Sequence, residues 1–409
     1  MFLLNKNNFF CLFFIILSIF IHPSFSKATE ENWNNILKQA SGQTIYFHAW
    51  GGAKNINSYI NWAGDAVKKA YNITVKHVKV SDTSHVVSRI LSEKNSKIIN
   101  NGAVDLVWIN GENFSSMKKN NLLLNENWIF QLPNSKFLDF KNNPSLLNDF
   151  GISTDGMEMP WGVSQLNFYY DSKYIKVPPK SALKLKKYIL KNKGRFTFPQ
   201  PPDFVGTSFL KQILIELIAD KNVLKLKFVK SKHEKLLYPL FHWLDEVTPH
   251  LWRNGKNYPS NYLALTELVA DREIDIGMAF NIAHASNAIS EGKLKKTIKS
   301  YIHEGGTLAN VHFLSIPYNS SNIASSKVFV NFLISPEAQI KKQNNFFWGD
   351  PSVLSSRKLT PIWKNKLLNL PRGPATLSNE ELEVKLEEPH PSWVKIIEDK
   401  WIQKYGSNN

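Results

Sequence analysis

From residue 43 onward, apolar positions follow two alternating periods. Residues 43–49 read as a strand, ending on Trp50-Gly51-Gly52. Ile56, Tyr59, Ile60, Ala63, Val67 and Ala70 then recur at helical spacing. NITVKHVKV (72–80) is a second strand with one slip in its alternation. Residues 82–99 are predicted helical, turning Val86, Val87, Ile90 and Leu91 inward. AVDLVWIN (103–110) is a near-continuous apolar strand, as a parallel sheet covered on both faces requires. GENFSSMKKN (111–120) opens another helix. This βαβαβα order predicts a doubly wound α/β domain.

Asn125 to Asp155 is polar and irregular. MPWGVSQLNFYY (159–170) is apolar and aromatic and reads as one strand. RFTFPQPPDFVGTSFLKQILIELIA (195–219) reads as strand, Pro-rich loop and helix, with Phe209, Leu210, Ile213, Leu214 and Leu217 inward. A helix over 234–248 surrounds Trp243. EIDIGMAFN (273–281) and ANVHFLSIP (309–317) are further strands, the second leading into the helix ASSKVFVNFLI (324–334). Ser335-Pro336 starts the next helix, Ser as cap and Pro at the first position. Trp393, Ile397, Trp401 and Tyr405 repeat every four residues in a terminal helix. There is no internal repeat and no long low-complexity linker.

The first residues break the pattern. Lys6 precedes an apolar run from Phe9 to Ile21, and HPSFSKATEE then turns polar. A basic start, a short apolar core and Ser24-Phe25-Ser26 predict a secretory signal over residues 1–26, cut near Ser26. The run is shorter than the ~20 residues of a membrane span. An uncleaved anchor is the competing reading, and no later stretch is long and apolar enough to span. Cys11, the only cysteine, lies in this leader, so the mature chain has no thiol, disulfide or cysteine metal site and relies on its core.

The 409 residues suggest two or three domains, at roughly 100–200 residues each. Hydrophobic content of 43% and charged content of 21% fit a soluble globular protein. Net charge is +16, or +15 once Lys6 leaves with the signal (16 − 1). An acidic partner is one reading of that charge. Lysine is spread along the whole chain, so compositional bias explains it better. The densest stretch, Lys173 to Arg195, has nine Lys or Arg and no acid. Its SALKLKKYILK segment is a helix capped by Ser181, with Leu185, Tyr188 and Ile189 inward and a solvated lysine face.

In open parallel sheets, ligands bind beyond the carboxyl ends of the strands. Four such junctions carry unusual residues. At the first, Trp50 either stacks on a ligand or caps the core, and Gly51 and Gly52 either admit close backbone approach or serve a turn. At the second, Asn110, Glu112 and Asn113 either bond a polar solute or cap the next helix. At the third, Thr207 and Ser208 sit at a helix start, where free amides favour an anion unless the hydroxyls cap it. Asp203 there faces a cation or starts the turn. Asn281 marks the fourth.

TIYFHAWGG, VDLVWINGENF, MPWGVSQLNFYY, FPQPPDFVGTSFL and DIGMAFNIAHA together resemble the YnjB-type substrate-binding proteins of bacterial ABC transporters. EGGTLANVHFLSIPYNSSNIASSKVFVNFLISPEAQ and FWGDPSVL continue the likeness, which runs in order from about residue 42 to the C-terminus. NFLISPEAQ also resembles extracellular solute-binding proteins more widely.

The resemblance implies a two-lobed type II periplasmic-binding fold, each lobe a mostly parallel sheet flanked by helices. It implies crossings near Met157–Trp161 and Gly305–Asn310. Residues 43–158 with 308–345 would form the first lobe, and 159–307 with 346–409 the second. A solute closes the lobes by hinge motion and passes to a membrane permease driven by a separate ATPase. No GxxxxGK[ST] phosphate loop is present here. Carried onto this chain, the pocket residues are Trp50, Gly51, Asn110, Glu112, Asn113, Trp161, Gln165, Asp203, Thr207, Ser208 and Asn281. No catalytic residue, metal or cofactor is expected, and the protein is expected to be a periplasmic monomer.

Two alternatives remain. An exported carbohydrate-active hydrolase would need paired carboxylates across a cleft, and Glu112 and Asp203 are the candidates. An iron-binding transport protein would use Tyr169 and Tyr170, although neighbours in a strand face opposite ways. No GxSxG or HExxH pattern appears. Charge alone points to nucleic acid, with no recognition module, so no such partner is expected. The ligand cues conflict: Trp50, Trp161, Glu112 and Asp203 suit a ring or organic cation, whereas the Thr207–Ser208 helix start and the net charge lean toward an anion.

Overall fold

A computed structural model describes residues 23–125 and 127–406. Most of the expected leader, with Cys11, lies outside the described residues. Among those described, no helix is long and apolar enough to cross a membrane. Helix α1 (Pro23–Ala40) sets Trp33, Ile36 and Leu37 against the first of two hydrophobic cores.

The chain then builds β1 (Thr44–Trp50), α2 (Lys54–Tyr71), β2 (Thr74–Val80), α3 (Thr83–Asn95), β3 (Leu106–Ile109) and α4 (Gly111–Lys119). As the apolar periods require, β1 runs parallel between β2 and β3. The polar stretch after α4 forms short 3-10 turns and a small hairpin, β4 (Asn148–Asp149) and β5 (Ile152–Ser153). Then β6 (Glu158–Gln165) leads directly into β7 (Asn167–Asp171). The single strand expected over 159–170 is therefore two strands in two sheets. The break falls at Leu166, whose amide bonds the Leu308 carbonyl as the chain leaves one core for the other.

The second lobe continues with α5 (Ala182–Lys191), α6 (Phe204–Leu217), α7 (Lys230–His233), α8 (Tyr238–Val247), α9 (Tyr262–Ala270), β8 (Ile276–Ala279), α10 (His284–Ser290) and β9 (Ile298–Tyr301). Ser181 caps α5, accepting from the Lys184 amide at 3.1 Å. The chain returns through β10 (Thr307–Ser315) to α11 (Ile323–Leu333), α12 (Pro336–Gln343) and α13 (Pro361–Leu368). Ser335 caps α12 from the Ala338 amide. Finally β11 (Lys385–Leu386) and α14 (Ser392–Tyr405) go back to the second core, burying Trp393, Ile397 and Trp401.

Further expectations change. The second sheet is antiparallel rather than mostly parallel: β7 runs against both β8 and β9. β7 carries the chain outward and β9 brings it back toward β10, so the two must oppose. The first sheet is mixed, because β10 runs antiparallel to β3 and β6. Residues 195–199 form no strand. The Arg195 and Phe196 carbonyls accept from the loop amides of Asp275 and Trp252, and the prolines that follow offer no ladder donor. The lobe limits also move. The buried cores change between Trp161 and Leu166, and between Leu308 and Val311. Trp348, Val353, Leu354, Leu359 and Leu367, assigned from the sequence to the second lobe, lie in the first core.

Loop 199–203 is pressed onto α6 at Gly206, where a Cβ would overlap the Pro199 carbonyl oxygen. Gly206→Ala is expected to destabilise the fold by ~1–3 kcal/mol. A urea midpoint unchanged in the variant would show that the loop yields instead.

Candidate functional site

A cleft of about 230 Å³ opens between the two cores. The first lobe supplies the ends of its strands: Trp50 after β1, Ser81, Asp82 and Thr83 after β2, and Asn110, Glu112 and Asn113 after β3. The second supplies Asp203 and Thr207 at the start of α6, Tyr262 at the start of α9, and Phe280 and Asn281 after β8. Lys211 and Glu398 reach in from the bodies of α6 and α14. Trp50 and Tyr262 meet across the cleft, ring centres 5.7 Å apart.

Seven of the sequence-expected residues are thus brought together: Trp50, Asn110, Glu112, Asn113, Asp203, Thr207 and Asn281. Four are not. Gly51 bonds its amide to the Val80 carbonyl and accepts from Asn57. Trp161 is fully buried behind the wall, edge-on to Trp108 and Trp348 at 5.2 and 5.1 Å. Gln165 is buried where the chain crosses, donating to Thr307 Oγ1 and the Val384 carbonyl. Ser208 is fully buried within α6. Gln165 and Ser208 each stand beside a lining residue, Ser164 and Thr207, and point into packing instead. Tyr169 is buried in the second core with its hydroxyl on Thr266, and neither it nor Tyr170 lines the cleft. Among the described residues, no group of three or more His, Cys, Asp or Glu is placed to hold a metal.

Trp108, His312, Trp348 and Asp350 complete one wall. Trp108 Nε1 donates to His312 Nδ1 at 2.9 Å. An indole nitrogen only donates, so His312 carries its proton on Nε2 and gives it to Asp350 at 3.0 Å. The Lys342 ammonium, fully buried, pairs with the same carboxylate. Burial alone would raise the Asp350 pKa, but His312 and Lys342 outweigh it and hold the group below its usual range. Asn281 and Asn287 of the second lobe donate to the Trp348 carbonyl at 3.3 and 2.9 Å. FWGDPSVL is therefore a wall segment fastened from both sides. Nothing local marked Lys211, Tyr262 or Glu398, which the helices bring in from remote positions.

The acids at the other end are not compensated in this way. Asp203 Oδ1 accepts from the Val205 and Gly206 amides at 3.0 and 3.1 Å, capping α6. Burial nevertheless pushes its pKa up to about 6. Glu398 accepts from the Thr207 hydroxyl at 2.7 Å. Burial, with the Glu112 charge adding to it, pushes Glu398 up to about 7. Glu112 is raised as well, chiefly by burial and against the pull of Lys211.

Two lobes joined by paired crossings, with an aromatic and acidic cleft at the strand ends between them, define a type II periplasmic-binding protein. A model of the bacterial extracellular solute-binding proteins matches residues 62–369. The chain is 37% identical over 385 residues to protein YnjB of Escherichia coli K12, covering 94% of this chain and 97% of that one. In fold it is similar to the periplasmic binding protein AfuA of Actinobacillus pleuropneumoniae, solved with fructose-6-phosphate: TM-score 0.63, 14% identity, 89% of this chain and 99% of that one. It is also similar to the Tp0655 (TpPotD) lipoprotein of Treponema pallidum: TM-score 0.63, 14% identity, 87% and 97% covered. The chain belongs to the bacterial extracellular solute-binding proteins, which are transport proteins and not an enzyme class.

In the fold, Asp203 and Glu398 keep a proton that the unfolded chain releases near their ordinary values of 3.8 and 4.5. The native state then binds more protons than the unfolded one, so stability falls as pH rises. The ligand-free protein is expected to lose thermal midpoint between pH 4 and about 7. Asp203→Asn and Glu398→Gln should each flatten that slope in calorimetric scans. An unchanged slope would mean the two groups titrate normally.

Proposed function

We propose that this chain is the extracytoplasmic solute-binding component of an ABC importer. It captures a small solute between its lobes and delivers it to a membrane permease powered by a separate ATPase. The observation that carries the reading is a cleft whose walls come from both lobes, with the chain crossing side by side at the paired strands β6 and β10 and once more between Leu370 and Ala375. Closing such a cleft buries the solute from two sides, and hinge rotation at neighbouring crossings provides the closure. The chain acts as a monomer in the periplasm once the leader is cut near Ser26. It binds without catalysing: Glu112 and Asp203, the carboxylates a hydrolase would use, serve as contacts for the solute. The ring of Trp50 forms one wall and Asn110, Asn113 and Asn281 supply hydrogen bonds.

Native mass spectrometry of gently isolated protein is expected to show a bound small molecule. Its removal should increase the radius of gyration in solution scattering as the lobes part. A protein that carries no solute and keeps one shape overturns the proposal.

Trp50 and Trp161 separate binding from packing. Trp50→Ala should weaken solute binding at least tenfold while costing far less stability than Trp161→Ala. The latter empties a fully buried site and should cost ~3–5 kcal/mol. Equal stability losses in the two variants, read by urea unfolding beside calorimetric titration, would place the Trp50 ring in the core.

A further inference from the structure

We infer that the solute is an organic cation whose charged group lies between carboxylates of the two lobes; this rests on the solute-binding reading above. Asp82 and Glu112 face the cleft from the first lobe, Asp203 and Glu398 from the second. Among the described residues, none of the four forms an ion pair with lysine or arginine.

The basic groups present are already engaged. Lys211 pairs with Glu388 at 2.6 Å, both side chains 2% exposed. His312 has one nitrogen on Trp108 and the other on Asp350, and Asp350 is neutralised by Lys342. Subtracting these satisfied groups leaves four acids in a half-buried cleft, on a chain whose formal charge is +16. Asp82, Asp203 and Glu398 accept hydrogen bonds from Ser84, Val205, Gly206 and Thr207, but carboxylates withdrawn from water without a countercharge remain costly. Their charges also repel across the cleft, since Glu112 raises Glu398 and Asp82 raises Asp203. A cation between them removes both costs and draws the lobes together. An anion would add to the repulsion.

The helix start that the sequence offered to an anion is occupied. The first free amides of α6 are held by Asp203, and the Thr207 hydroxyl is donated to Glu398. That resolves the conflict between the sequence cues in favour of positive charge.

The remaining wall is aromatic, which makes the cation organic. Trp50 faces Tyr262 at 5.7 Å, and Phe204 meets Phe280 at 5.0 Å. Ring faces attract cations and also bury the carbon skeleton of an ammonium compound. A bare metal ion would gain little from them.

The test uses ion-exchange pools of a bacterial metabolite extract, one cationic, one anionic and one neutral, applied to the whole mature protein. Calcium chloride and magnesium chloride serve as separate probes. The cationic pool is expected to raise the melting temperature at pH 7.5. Glu112→Gln should weaken that ligand at least tenfold without lowering the melting temperature of the empty protein. Stabilisation by the anionic or neutral pool alone would overturn the inference and leave the solute-binding reading standing. So would stabilisation by the metal salts alone, or an undiminished response in Glu112→Gln. If no pool acts, both fall.

Discussion

The antiparallel pair β6–β10 is the constraint on which the other features hang. Each strand begins in one core and ends at the other: Trp161 and Phe313 lie in the first, Leu166 and Leu308 in the second. Because these two chain passages are hydrogen-bonded side by side, they define an axis about which the lobes can turn; a third passage follows between Leu370 and Ala375. The same pairing sets strand direction in the second sheet and places the cleft on one side of the axis. Buried amides reinforce it. Gln165 ties the crossing to Thr307 and Val384, and Gln212 holds Gly306 and Leu308. Polar groups this deep must be bonded, and here their bonds fasten the segments that have to stay together while the lobes move.

The cleft divides into a satisfied end and an unsatisfied one. At the first, Lys342, Asp350, His312 and Trp108 form a chain in which every donor meets an acceptor, and the network holds Trp348 in the wall. Gly162 lies beneath it, where any Cβ would overlap the Asp350 and His312 side chains. At the second, carboxylates from both lobes face one another without an ion pair to lysine or arginine among the described residues, Lys211 nearby being paired with Glu388. Networks that are complete in the empty protein give the wall rigidity. Charges that are incomplete give the cleft its preference among solutes.

Much of the architecture was readable from local pattern. The period-two and period-3.6 segments give the parallel β1, β2 and β3 with their helices, and the caps Ser181 and Ser335 fall where expected, because burial of one face imposes periodicity on the residues themselves. The rule that ligands lie beyond strand ends also located Trp50, Asn110, Glu112, Asn113 and Asn281 at the cleft, since the end of a strand is a local feature; Asp203 and Thr207 reach it at the start of α6 without the strand expected before them. What local pattern could not carry was the orientation of single side chains and the meeting of remote segments. Ser208 sits one residue from Thr207 yet points into the second core, a difference of about 100° around a helix. Lys211, Tyr262, Trp348 and Glu398 come together only through packing. No spacing along the chain encodes the distance between them, and whether a charge is spent or free depends on which neighbour folding places beside it.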